Sequence, residues 1–98
     1  MILTTTDSIE GYKIEAYLGI VTGVSTDIKK KYSFRTDKNL EITSDIINKA
    51  KEEAFQDLKT NALNLKANAI VGISLDVETS SGVYFFVSVT GTAVRIAI

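Results

Sequence analysis

The longest regular pattern of apolar and polar positions runs from Thr43 to Asn68. Ile47, Ala50, Ala54, Leu58, Ala62 and Leu65 recur at spacings of 3, 4, 4, 4 and 3. Their mean, about 3.6, is the period of an α-helix. Ile46, Phe55 and Leu63 widen the stripe, while Lys49, Lys51, Glu52, Glu53, Gln56, Asp57 and Lys59 fill the opposite side. Thr43, Ser44 and Asp45 are candidate N-caps, and Asp45 also suits the positive end of the helix dipole. Asn68, tolerant of left-handed backbone, is the candidate stop. The pattern predicts one helix from about Ser44 to Lys66, roughly 35 Å long at 1.5 Å per residue.

Downstream the period falls to two. Ala69, Val71, Ile73, Leu75 and Val77 alternate with Ile70, Gly72, Ser74, Asp76 and Glu78, which predicts a strand. The turn cluster Thr79-Ser80-Ser81-Gly82 leads into a second strand, Val83 to Thr90, so the two form an antiparallel hairpin. Val83, Phe85, Val87 and Val89 share one face of it, and Tyr84, Phe86, Ser88 and Thr90 the other. Past Gly91 the bulky apolar residues switch to Val94, Ile96 and Ile98. A bulge at Gly91 would return Val94 to the face of Val87; otherwise the strand is apolar on both sides there.

The N-terminal third also reads as strand. Ile14, Ala16, Leu18 and Ile20 alternate with Lys13, Glu15, Tyr17, Gly19 and Val21, with Gly19 and Gly23 as bends or bulges. Ile2 to Thr6 is a shorter strand, closed by the turn Asp7-Ser8-Ile9-Glu10-Gly11. The link 24–43 is polar and carries no clear period. Residues 1–98 therefore predict a single α+β domain of two layers. Its antiparallel sheet carries one long helix, in the order β-β-α-β-β.

Composition limits the chemistry. Eleven Lys and Arg against twelve Asp and Glu leave a net charge of −1 across 98 residues. That excludes a nucleic-acid or membrane-surface binder driven by bulk charge. The chain has no Cys and no His. Disulfides, thiolate nucleophiles, Ser-His-Asp and Cys-His mechanisms are excluded, and any metal would have to be held by oxygens. Asp, Glu, Lys, Tyr and Ser remain as catalytic groups, and no motif places a pair of them. The expectation is a non-enzyme without a cofactor. No stretch approaches the roughly 20 apolar residues of a spanning helix, and the first residues carry no basic region, so the expected location is the cytoplasm.

Three groups of residues merit weighing. Asp76 and Glu78, two apart on one strand face with Ser74 beside them, could hold Ca²⁺ or Mg²⁺ or share a proton; a zinc or copper ion, were one bound, would draw its ligands from Asp76, Glu78, Glu10 and Glu15, shared between subunits. The simpler reading is a solvated strand end. Lys29-Lys30-Lys31 with Tyr32, Phe34 and Arg35 could serve single-stranded nucleic acid, but Asp27 and Asp37 flank them and no nucleic-acid motif is present. The simpler reading is a solvated loop. The third group is apolar. Phe85 and Phe86 point to opposite faces, as do Ile70 and Val71, and one helix covers only one face. The second face packs either under the N-terminal strand or the link 24–43, or against another subunit; the latter is favoured, with Ile70, Tyr84 and Phe86 as the candidate interface residues of a homo-oligomer.

Three blocks carry a family resemblance. They are Glu10 to Gly23, then Ala50 to Phe55 running on to the Ala67-Asn68-Ala69-Ile70-Val71-Gly72 helix exit, and finally Val87 to Val94 with its Gly-Thr-Ala-Val ending. In this order they resemble the YbjQ family, small bacterial and archaeal proteins that carry a heavy-metal-binding label. The resemblance implies a dodecin-like subunit and a ring-shaped homo-oligomer, a pentamer or a pair of pentamers. Soft metals prefer thiolate and imidazole, and this chain has neither. Between Val24 and Thr43 the chain departs from the family pattern, with a shorter polar stretch in place of a longer apolar insert.

Overall fold

A computed structural model describes residues 1–25, 44–80 and 84–98, with the side chains of 44–46, 79, 80, 84 and 85 outside that description. The basic-aromatic stretch around Lys29-Lys30-Lys31 lies outside the described residues. The elements are β1 (Ile2–Leu3), β2 (Ile14–Val24), α1 (Ser44–Asn64), β3 (Ala69–Ser80) and β4 (Tyr84–Ile96). They form one helix on a four-stranded sheet of order β1-β3-β4-β2.

The element order matches the expectation, but the sheet is mixed rather than antiparallel. β1 runs parallel to β3, with Ile2 opposite Ala69 and Leu3 opposite Ile70. The cause is the placement of β1 and β2 at opposite edges. Both β2 and β3 are antiparallel to β4, so β1 and β2 point the same way. The chain between them must cross a sheet face instead of turning back as a hairpin. That crossing brings Ile9, with Ile2 and Ile14, against Ala69, Val71, Val94 and Ile96.

The other face lies beneath α1. Ala50, Ala54, Leu58 and Ala62 are buried on Val21, Ile70, Ile73, Val87, Val89 and Ala93. The alanines hold the helix close to the strands, and Gly23 marks the tightest point. A Cβ at Gly23 would collide with Ala54 O and Leu58 N and lie 2.9 Å from Leu58 Cα. Leu65, the last member of the predicted stripe, is exposed because α1 ends before it. The stop is at Lys66, not Asn68. Lys66 adopts φ 66°; its N–H donates to Leu63 O at 2.9 Å, and Ala67 N–H donates to Ala62 O at 3.1 Å. This is the Schellman pattern with a lysine where glycine is usual. Asn68 serves another purpose. Its Nδ2 donates to Ile96 O at 3.1 Å and its Oδ1 accepts from Ile96 N at 2.8 Å, so its amide acts as a strand partner for the end of β4.

The expected bulge at Gly91 lies one strand away. Pairing of β2 with β4 runs unbroken from Ile20–Thr92 through Val21–Gly91 to Thr22–Thr90. The shift occurs in β3, between Val71–Thr92 and Ser74–Thr90, so Gly72 and Ile73 share the place opposite Gly91. Gly72 takes φ 63°, which glycine adopts at little steric cost. Gly91 is glycine because of crowding, since its Cβ would lie 2.7 Å from Ile70 Cγ2. Val87 therefore sits under the helix and Val94 on the opposite face: β4 is apolar on both sides. The bulge also moves Ile73 to the face of Ile70, splitting the predicted Ala69-Val71-Ile73 set. In β2, register shifts at Ile14/Ala16 and Tyr17/Gly19 likewise turn Val21 inward and Ile20 outward.

Two substitutions test this packing by urea unfolding. Leu58→Ala is expected to lose about 2–5 kcal/mol, the cost of a core cavity; a loss below about 0.5 kcal/mol would place Leu58 on the surface. Gly23→Ala is expected to lose at least about 2 kcal/mol, because the helix backbone itself must move. An unchanged midpoint would contradict the close approach.

Candidate functional site

Among the described residues, the sheet face turned away from α1 is covered at its lower end, where β1 and the crossing segment lie. Above that cover the alternation of β2 and β4 sets Tyr17, Ile20, Thr22 and Val24 beside Phe86, Ser88, Thr90 and Thr92. Cross-strand partners are Ile20–Thr92, Thr22–Thr90 and Val24–Ser88. These two strands present no charged side chain here. Tyr17 is 71% exposed, Ile20 78% and Phe86 45%. Val24 is exposed as well. An uncharged band with large apolar side chains in water costs free energy unless it is covered, and such bands mark binding surfaces.

The predicted interface residues fare differently. Phe86 belongs to this band. Ile70 does not: it is fully buried under α1, covered within its own chain, because β3 places it on the helix side. Val71, its neighbour, is covered by the crossing segment instead. The side chains of Tyr84 and Phe85 lie outside the described residues. Tyr17 and Ile20 are the most exposed members of the band. A strict alternation puts them on opposite faces, and only the register shift at Gly19 unites them.

The candidate metal ligands do not meet. Asp76 and Glu78 are exposed on β3, opposite Ser88 and Phe86. Glu15 lies at the start of β2, next to Ala16, whose partner is Arg95. Seven residues of β4 separate those levels, about 23 Å at the usual strand rise. Glu10 sits in the turn closed by Tyr12 N–H donating to Ile9 O at 3.0 Å. Among the described residues, no three His, Cys, Asp or Glu side chains are grouped to hold a metal ion. The available donors do not fit a heavy metal.

At the lower end a cavity of about 270 Å³ opens between Ile2, Tyr12, Leu63, Asn68 and Ile96. It is apolar, and the Asn68 amide is already engaged by the Ile96 backbone. No described helix is long and apolar enough to cross a membrane.

Untagged protein, dialysed and analysed by elemental mass spectrometry, is expected to carry no stoichiometric zinc or copper. One tightly held ion per chain would contradict the reading of the donors.

The comparisons agree with this architecture. The YbjQ family, described as "Putative heavy-metal-binding", matches residues 1–97. A UPF0145 protein from Anoxybacillus flavithermus is 34% identical over 110 residues, covering 98% of each chain. A crystal structure of a protein of unknown function in the DUF74 family, from Pediococcus pentosaceus, superposes with a TM-score of 0.65 at 24% identity. It covers 100% of this chain and 97% of that one. At that identity the likeness speaks for the fold alone.

Proposed function

The chain belongs to the YbjQ family, a kinship that fixes no activity, and on that premise we propose that it is a homo-oligomeric assembly protein and not an enzyme. The single observation that supports this is the exposed apolar side chains Tyr17, Ile20, Val24 and Phe86 on one face of β2 and β4, bordered on β3 by Asp76 and Glu78. Each of these large side chains gains roughly 1.5–3 kcal/mol on full burial. Several of them together favour a permanent contact over a passing one. The family resemblance favours a cyclic assembly of dodecin-like subunits with five-fold closure, single or paired. A small uncharged ligand held between subunits is compatible with the same surface. Against an enzyme stands the inventory of groups. Without His or Cys, catalysis would need carboxylates, lysines or tyrosines converging on a cavity, and the one cavity described above holds only Tyr12 of these types.

Native mass spectrometry of the untagged protein tests the proposal. A single closed multimer is expected at micromolar concentration, with an apparent melting temperature that rises with protein concentration. Ile20→Asp is expected to shift that multimer to monomer while the far-ultraviolet circular dichroism is kept. A monomeric wild-type mass would overturn the proposal.

A further inference from the structure

The cavity at the lower end of the molecule follows from the way the helix stops. Lys66, in left-handed backbone, turns the chain back, and Ala67 joins Ala62 in the helix-side core. Leu63, on the last turn of α1, stays outside that core and is 60% exposed. Its side chain forms one wall of the cavity. Another wall comes from the tight turn of residues 9–12. There Tyr12 N–H donates to Ile9 O and Gly11 takes φ 86°, which sets Tyr12 at the cavity. Met1, Tyr12, Leu63 and Ile98 are all exposed, and all border this one hollow. Large apolar side chains exposed singly need no explanation, but a group gathered around a cavity marks a binding site.

Asn68 supplies the polar element. Its pairing with Ile96 uses one of the two Nδ2 hydrogens and one of the two Oδ1 lone pairs. Its backbone is held as well, with the N–H donating to Val94 O and the carbonyl accepting from Ile2 N–H. The second hydrogen and the second lone pair therefore belong to an amide fixed in place. Among the described residues, that amide and the Tyr12 hydroxyl are the hydrogen-bonding side-chain groups that line the cavity.

Charge and size select the guest. None of the lining side chains is charged, so an ion would leave its hydration shell without a counter-charge. Water is served poorly, because two polar groups cannot partner the several molecules that would fill the space. An apolar cavity of about 150 Å³ accommodates benzene. The 270 Å³ here suits a fused pair of rings. The Tyr12 ring and the Met1 thioether favour aromatic over aliphatic contacts.

We propose that this cavity binds a small, uncharged aromatic molecule of about two fused rings that carries one hydrogen-bonding group. Leu63, Tyr12 and Met1 enclose the rings, and the remaining capacity of the Asn68 amide takes the polar group. One chain builds the whole site, so it stands apart from the subunit contact proposed above.

Indole is the probe. The chain has no Trp, so indole excited beyond the tyrosine band reports its own surroundings. Titration of the untagged protein is expected to shift indole emission to the blue, with a dissociation constant of about 0.1 mM. Equilibrium dialysis is expected to give one indole per chain. 1-Methylindole keeps the rings and loses the N–H, and is expected to bind about tenfold more weakly. Leu63→Arg is expected to weaken indole at least about tenfold with the circular dichroism unchanged. Leu65→Arg, the same change just outside the cavity, is expected to leave binding intact. As a second variant in the wall, Tyr12→Ser is expected to weaken indole in the same direction. Unshifted emission at millimolar indole would overturn the proposal. Equal binding by the wild type and both wall variants would place indole elsewhere and overturn it too. Indole-3-acetate bound as tightly as indole would overturn the uncharged ligand class.

Discussion

The contact between the α1 backbone at Ala54–Leu58 and the glycine at position 23 sets the geometry of the molecule. With no side chain at Gly23 and alanines at positions 50, 54 and 62, the helix approaches β2 more closely than larger residues would permit. That approach brings Asp57 and Asn61 within hydrogen-bonding distance of the β2 edge. It also commits the helix to the β2–β4 side of the sheet. Ile70 and Ile73 are still reached, but Leu75 and Val77, farther up β3, are left exposed. A single close contact thereby determines which edge the helix guards.

The second face obeys a different constraint. One helix cannot cover both sides of a sheet, and the described residues form no second layer. The crossing segment between β1 and β2 supplies a partial cover, with Ile9 sealing the cluster of Ala69, Val71, Val94 and Ile96. The band above it carries Tyr17, Ile20, Val24 and Phe86 without charge. Threonines and a serine fill the remaining positions on β2 and β4. Such a surface tolerates water but gains from burial.

The heavy-metal description of the family has no counterpart in the donors of this chain. Soft ions select sulfur and imidazole nitrogen, and the sequence holds neither Cys nor His. Of the candidate carboxylate ligands, Asp76 and Glu78 lie near one end of the sheet and Glu15 near the other. Asp76 and Glu78 lie on the stretch of β3 that has no outer strand partner among the described residues. Charges at such edges commonly serve to prevent unwanted pairing.

Period and composition alone determined the one long helix, the β3–β4 hairpin, the strand that precedes the helix, and the absence of thiolate and imidazole chemistry. These follow from local spacing and residue type, which tertiary contacts do not alter. Faces and edges were another matter. Strict alternation assigned Val21 and Ile20, and Ile70 and Ile73, to the wrong companions, because bulges at Gly19 and Gly72 shift every later residue by one face. A glycine in a strand announces a bulge, a bend or a close approach without saying which. Gly72 proved to be the bulge, Gly91 a crowded crossing and Gly23 the seat of the helix. The parallel placement of β1 and the burial of Ile70 depended on which strand the chain crossed to reach. Strand order is a long-range property that no local pattern encodes, and it decided where the exposed band and the open edges lie.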